Sequence, residues 1–193
     1  MIPVFLQQKR IMDAAALINE HTKMVQQGLL SVSAEQRKNL TNTLLGFYFL
    51  LPGFEQTLRD YLKINIDKQN LINDIKNDRL EKYRSAIEKC HATFDEYADD
   101  FQEVDRIDIL IIEAFSNAIS DLKNAANTLG LFIGIIDILD YYEAFSDNPE
   151  YWNNLLENEI SYQRELLAGL KTNENLNSLG YPERYETVLF DTL

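Results

Sequence analysis

Cysteine, proline and glycine are all scarce in this chain, and each scarcity removes a class of structure. Cys90 is the only cysteine, so no disulfide closes within one chain and no thiolate metal cluster can assemble there. No metal and no cofactor are expected, and a reducing, cytoplasmic setting fits best. Seven glycines and four prolines in 193 residues are too few for the many tight turns of a β-sandwich or barrel, and they favour long helices. Long apolar runs are missing too. The longest, Leu129 to Ile136, covers eight residues before Asp137, against the roughly 20 that a membrane-spanning helix needs; no membrane span is expected. Near the N-terminus the basic pair Lys9-Arg10 follows a short apolar stretch, the reverse of the order in a secretion signal. The Asn39-Leu40-Thr41 sequon is then read as coincidence.

Positive charge is scarce in one half only. Residues 1–92 hold thirteen Lys/Arg against ten Asp/Glu, whereas residues 93–193 hold five against twenty-one. The balance is +3 in the first half and −16 in the second. Such asymmetry speaks to which surfaces attract a partner rather than to fold. Against it stand an apolar fraction of 46% and an aromatic fraction of 11%, which exclude general disorder and supply one sizeable core. The whole of 1–193 is expected to form a single helical-bundle domain, with 171–193 as a docked or flexible tail.

Apolar periodicity fills in the elements. Ile11, Ala15, Ile18, Thr22, Val25 and Leu29 make a helical stripe up to Gly28, and Ser33 with Gln36 is a capping box opening a second helix, in an antiparallel hairpin with the first. Pro52-Gly53 separates a short third helix containing Phe54, Leu58 and Leu62. Asp67 and Asp78 are both N-cap candidates. From Leu80 the positions Tyr83, Ile87, Cys90, Phe94, Tyr97, Phe101 and Val104 alternate by three and four, a seam for a partner helix. That partner is supplied within the chain or, as the other arrangement, by a second copy in a homodimer. One long central helix is expected over about 105–145, apolar nearly all round from Leu129 to Ile138. Asn148-Pro149-Glu150 starts another, running to Leu170. The fold class is therefore all-α, a mostly antiparallel bundle of five to six helices.

The densest acidic block is Asp95, Glu96, Asp99, Asp100, Glu103, Asp105 and Asp108, opposed only by Arg106. It lacks the turn-forming glycine of a calcium loop, and its charge repels nucleic acid and steers a cationic protein. The reading this favours is a non-catalytic interaction protein, regulatory, immunity-like or inhibitor-like, whose acidic C-terminal half engages a basic protein partner.

Two further constellations carry alternative functions. Arg84 and His91 lie seven residues apart, two helical turns on one stripe, a spacing that resembles the Arg-x(4–6)-His signature of HEPN-domain ribonucleases, also helical bundles. That resemblance covers two residues and implies RNA cleavage with Arg84 and His91 as catalytic residues. At −13 net the chain lacks the basic footprint of a phosphate binder, so no direct nucleic-acid binding is expected. Glu88 and His91 also match one half of a di-iron Glu-x-x-His pattern, but such sites need two such motifs, and His21 is the only other histidine. The third reading is a small-ligand sensor around Gly130, Gly134 and Asp137, where an ionised carboxylate beside the most apolar segment is costly unless paired. Finally, Tyr141, Tyr142, Phe145, Tyr151, Trp152 and Tyr162 gather around one connection. They are core by default and interface anchors if exposed beside acidic residues.

Overall fold

A computed structural model of the chain describes residues 4–93, 104–121, 123–172 and 180–190, with side chains at 15–90, 104–121, 123–170 and 180–190. These residues form an all-α fold. In chain order the helices are α1 (Val4–Leu29), α2 (Ala34–Tyr48), α3 (Phe54–Leu62), α4 (Lys68–Lys76), α5 (Glu81–Thr93), α6 (Arg106–Ile119), α7 (Ala125–Phe145), α8 (Pro149–Thr172) and α9 (Tyr181–Arg184). That is nine among the described residues, where five or six were expected. None of them is long and apolar enough to cross a membrane.

Local chemistry sets many of the ends. Ser33 Oγ accepts from the Gln36 N–H at 3.2 Å and Gln36 Oε1 accepts from the Ser33 N–H at 2.9 Å, completing the expected capping box. The same Gln36 donates through Nε2 to Leu170 O at 3.1 Å, so the cap also ties α2 to α8. Asp67 caps α4 through the Asn70 N–H, and Asn148 Oδ1 accepts from the Tyr151 N–H at the start of α8. Asp78 is not a cap. It turns the chain in a left-handed conformation at φ 54°, which Asp tolerates better than most residues, and its carboxylate pairs with Lys38 at 2.8 Å.

The expected continuous helix over 105–145 is instead two helices folded against each other. Ser120, Asp121 and Asn124 offer the backbone local partners that compete with the helical ladder. Ser120 is extended, with its hydroxyl donating to Ser116 O at 2.6 Å. Asp121 Oδ1 accepts from the Lys123 N–H, and Asn124 Oδ1 accepts from the Ala126 N–H as the N-cap of α7. Two cations close the turn from elsewhere in the fold. Arg84 on α5 donates to Ile119 O at 2.8 Å and Ser120 O at 3.3 Å, and Arg37 on α2 donates to Lys123 O. A guanidinium at the negative end of the α6 dipole stabilises that end.

With the break in place, α7 becomes the centre. A helix apolar on nearly every side must be covered on several, and α7 packs against α1, α2, α6 and α8. Leu131, Phe132, Ile135, Ile136, Ile138 and Leu139 are all without solvent exposure, each contributing roughly 1.5–3 kcal/mol of apolar burial. The expected α1–α2 hairpin does not form: among the described residues α1 packs on α7 and α8, and α2 on α7, α6, α4 and α9. The large apolar target on α7 draws both helices onto itself. Of the long seam starting at Leu80, Leu80 and Tyr83 are buried, while Ile87 and Cys90 are partly buried against α3 and α6. Phe94, Tyr97 and Phe101 lie outside the described residues. The C-terminal segment is docked, with Tyr181, Tyr185 and Phe190 buried. Leu189 of the same segment points outward and is 74% exposed.

Candidate functional site

Asp95, Glu96, Asp99, Asp100 and Glu103 lie outside the described residues. Asp105 is the N-cap of α6, accepting from the Ile107 N–H at 2.8 Å. Asp108 accepts from the Thr57 hydroxyl at 2.5 Å and so joins α6 to α3. Both described members of the acidic block thus hold helices in place. Arg84 is likewise engaged by the last carbonyls of α6, as described above. His91 shares α5 with it, two turns on, and its side chain lies outside the described residues.

Gly130, Gly134 and Asp137 do share α7, but the glycines serve close packing. A Cβ on Gly130 would meet the Asn117 side-chain amide, and one on Gly134 would stand 2.5 Å from the Tyr48 hydroxyl. That hydroxyl donates to Leu131 O at 2.7 Å, bonding α2 to α7 from inside the core. Asp137 is half-buried. Its burial raises the carboxyl above its usual range, with Asp140 and Glu113 pushing the same way and Arg106 opposing.

The aromatic cluster divides between a stack and a set of exposed groups. Tyr142 on α7 stacks on Trp152 of α8, with ring centres 4.4 Å apart, and Phe190 of the C-terminal segment lies 5.6 and 5.7 Å from the two. This dry stack closes the α7–α8 corner. Outside it, Phe145 rests on Tyr141 at 4.7 Å and is 67% exposed, and Tyr151 lies 5.4 Å from Trp152 and is 39% exposed. Asp140, Asp147 and Glu150 are exposed on the same two helix ends, with Glu143 half-buried. No Lys or Arg occurs between Lys123 and Arg164.

A second polar feature is wholly internal. Glu159 on α8 has no solvent exposure. Its Oε1 accepts from the Tyr181 hydroxyl at 2.7 Å and Gln163 Nε2 at 2.9 Å, and its Oε2 accepts from the Tyr185 hydroxyl at 2.8 Å. Burial raises this carboxyl above its ordinary value, and the three donors and Arg184 pull it back only in part. Gln163 Nε2 also donates to Phe132 O, which leaves its Oε1 to accept from His21 Nε2 at 2.6 Å. The His21 proton is therefore on Nε2, and the buried Nδ1 has no hydrogen-bond partner. Burial, the larger cause, and Arg164 lower the His21 pKa against the opposing bond from Gln163. The network carries the C-terminal segment: Tyr181 and Tyr185 lead it onto Glu159, and Arg184 lies 3.7 Å over the Tyr162 ring.

The sequence reading did not single out Glu159, Gln163 or His21. A signal was present: Trp152, Leu156, Glu159, Gln163, Leu166 and Leu170 keep one alternation of four and three, so the acid and the amide stand on the apolar stripe of α8. His21 stands likewise between Ile18 and Val25, whereas Thr22, assigned to the stripe, is half-buried and bonds back to Ile18 O.

Comparisons with family models, with curated proteins and with solved structures return no match. The class that fold and site define is an all-α helical protein with a buried acid at its core and an acidic, aromatic corner at one end.

Proposed function

We propose that this chain is a non-catalytic interaction protein, acting in the cytoplasm, whose acidic C-terminal half engages a basic protein partner in a regulatory, immunity-like or inhibitor-like role. The α7–α8 corner is its anchor. The observation that carries the reading is the exposure of Phe145 and Tyr151 on a fixed aromatic stack, within a forty-residue stretch that holds seven carboxylates and no cation. Aromatic side chains dominate binding hot spots because they desolvate a large area at low entropic cost. A rim of one charge sets on-rate and selects cationic partners. Such a surface suits a partner segment with an apolar side chain flanked by Lys or Arg.

The test is affinity capture with the full chain at low salt, eluted along a salt gradient. A basic protein should be retained by the native chain and lost by a Phe145→Ala/Tyr151→Ala variant of unchanged melting temperature. Charge reversal at Asp95, Asp99, Asp100 and Glu103 forms a second arm. Loss of capture there, with the corner variant unaffected, would move the docking surface to the 95–108 block; retention by both would end the proposal.

A further inference from the structure

The chain forms a groove of about 460 Å³ between α2, α4 and the C-terminal segment. That volume lies within the range of small-molecule sites, roughly 300–1,000 Å³. Its apolar wall is Phe49, Ile72 and Pro182, and its polar groups include Asn42 and Lys68. Two features of those polar groups are unusual for a surface groove.

The first is Asn42. Both atoms of its side-chain amide are shielded from water, and neither has a hydrogen-bond partner. An orphaned amide costs about 1–3 kcal/mol for each unsatisfied group, and in a folded protein it calls for an explanation. Asn42 lines the groove and has no hydrogen bond to lose, so a turn about the soft torsion next to the amide is the motion that would present it to a ligand. The second is Lys68, half-buried in a chain of net −13. It donates to Phe49 O at 2.9 Å and lies 5.7 and 5.9 Å from the centres of the Phe49 and Phe54 rings. No carboxylate among the described residues pairs with it. Its two remaining protons can still serve an anion.

Taken together, these groups specify a ligand. Lys68 calls for an anion, Asn42 Nδ2 for an acceptor, Asn42 Oδ1 for a donor close to that acceptor, and Phe49, Ile72 and Pro182 for an apolar body. We infer that the groove binds a small carboxylate bearing an N–H or O–H donor at its α position and an apolar side chain, the chemistry of an amino or 2-hydroxy acid. The carboxylate bridges Lys68 and Asn42 Nδ2, the α donor reaches Asn42 Oδ1, and the side chain lies on Phe49 and Ile72. A charge-assisted bond to the ammonium supplies much of the affinity, and the apolar wall sets the preference among side chains. This site is separate from the acidic corner and does not depend on it.

The experiment uses calorimetric titration and melting curves of the full chain with L-phenylalanine, L-leucine and their 2-hydroxy analogues, alongside phenylalanine amide, 3-phenylpropionate and glycine. At least one of the four α-substituted acids should bind and raise the melting temperature. The three comparators, each lacking one recognised feature, should bind at least about tenfold more weakly. Lys68→Met should weaken binding by a similar factor. Asn42→Leu should do the same while leaving the free chain as stable or more so, because it removes an orphaned amide rather than a satisfied one. The inference is overturned if none of the four acids binds at millimolar concentration, if the amide binds as well as its parent acid, or if both variants bind as the native chain does. A fall in the melting temperature of free Asn42→Leu would also overturn it, by making Asn42 structural.

Discussion

The start and the middle of α8 gather the same residue types for opposite purposes. Near Pro149, Tyr151 leans out from Trp152 into solvent. Seven residues beyond Trp152, roughly 10 Å along the helix, the tyrosines of the C-terminal segment turn inward, their hydroxyls engaged by Glu159. At the first site the rings are fixed by stacking and their edges left to water; at the second their hydroxyls satisfy a buried carboxyl group. The difference teaches where this molecule tolerates change. A buried carboxylate with three donors is a structure in which each member leaves others unsatisfied when removed, whereas an exposed ring on a supporting stack can be lost with little effect on the fold.

The largest effect should therefore come from Glu159. Glu159→Ala leaves two tyrosine hydroxyls and the Gln163 amide without their acceptor and opens a cavity, and it should cost about 3 kcal/mol or more. Denaturant midpoints measure it. A cost below about 1 kcal/mol would show that the network is incidental and erase the contrast between the two sites. Tyr181→Phe and Tyr185→Phe should each cost about 1–2 kcal/mol, the pair less than the sum, since both act through one carboxylate.

A pH profile sharpens the same contrast. The folded state raises the Glu159 pKa above 4.5, so it binds a proton more readily than the unfolded chain, and stability from this group is lost as pH rises through the raised value. For His21 the folded state lowers the pKa below 6.5. The unfolded chain then binds the extra proton, and stability from keeping this imidazole neutral is lost as pH falls below 6.5. The two slopes oppose each other in the mildly acidic range. Glu159→Gln, which keeps the amide-sized group but cannot ionise, should leave a steeper rise of stability with pH up to 6.5. If the variant and native profiles are parallel, Glu159 does not titrate there.

Much of this architecture was legible in the chain. Ser33, Asp67 and Asn148 cap helices because short polar side chains before an apolar stripe have one job that local geometry alone can satisfy. The break at 120–124 was harder to see because the apolar alternation continues across it from Ala118 to Ala125, and two of the groups that close it, Arg84 and Arg37, come from distant helices. The separate packing of α1 and α2 was hidden for a related reason: a short connection suggests a hairpin, but the more apolar surface was on α7. Glu159, Gln163 and His21 were visible as polar residues on apolar stripes. What no spacing could give was their partners, since Tyr181 and Tyr185 come from the separate C-terminal segment and His21 meets Gln163 across 142 residues.

The smallest effect on stability, and the most informative for function, belongs to the exposed end of the comparison. Phe145→Ala and Tyr151→Ala should each change unfolding free energy by no more than about 0.5 kcal/mol, because neither ring fills the core. Trp152→Ala removes a ring that Tyr142 and Phe190 both lean on, so it should cost about 3 kcal/mol or more. The comparison of these three variants separates support from contact. If the corner is an anchor, Phe145→Ala and Tyr151→Ala abolish salt-sensitive capture in a protein that melts as the native one does. Should capture fall only with Trp152→Ala, in step with lost stability, the exposed rings touch nothing, and the corner is structural at both of its layers.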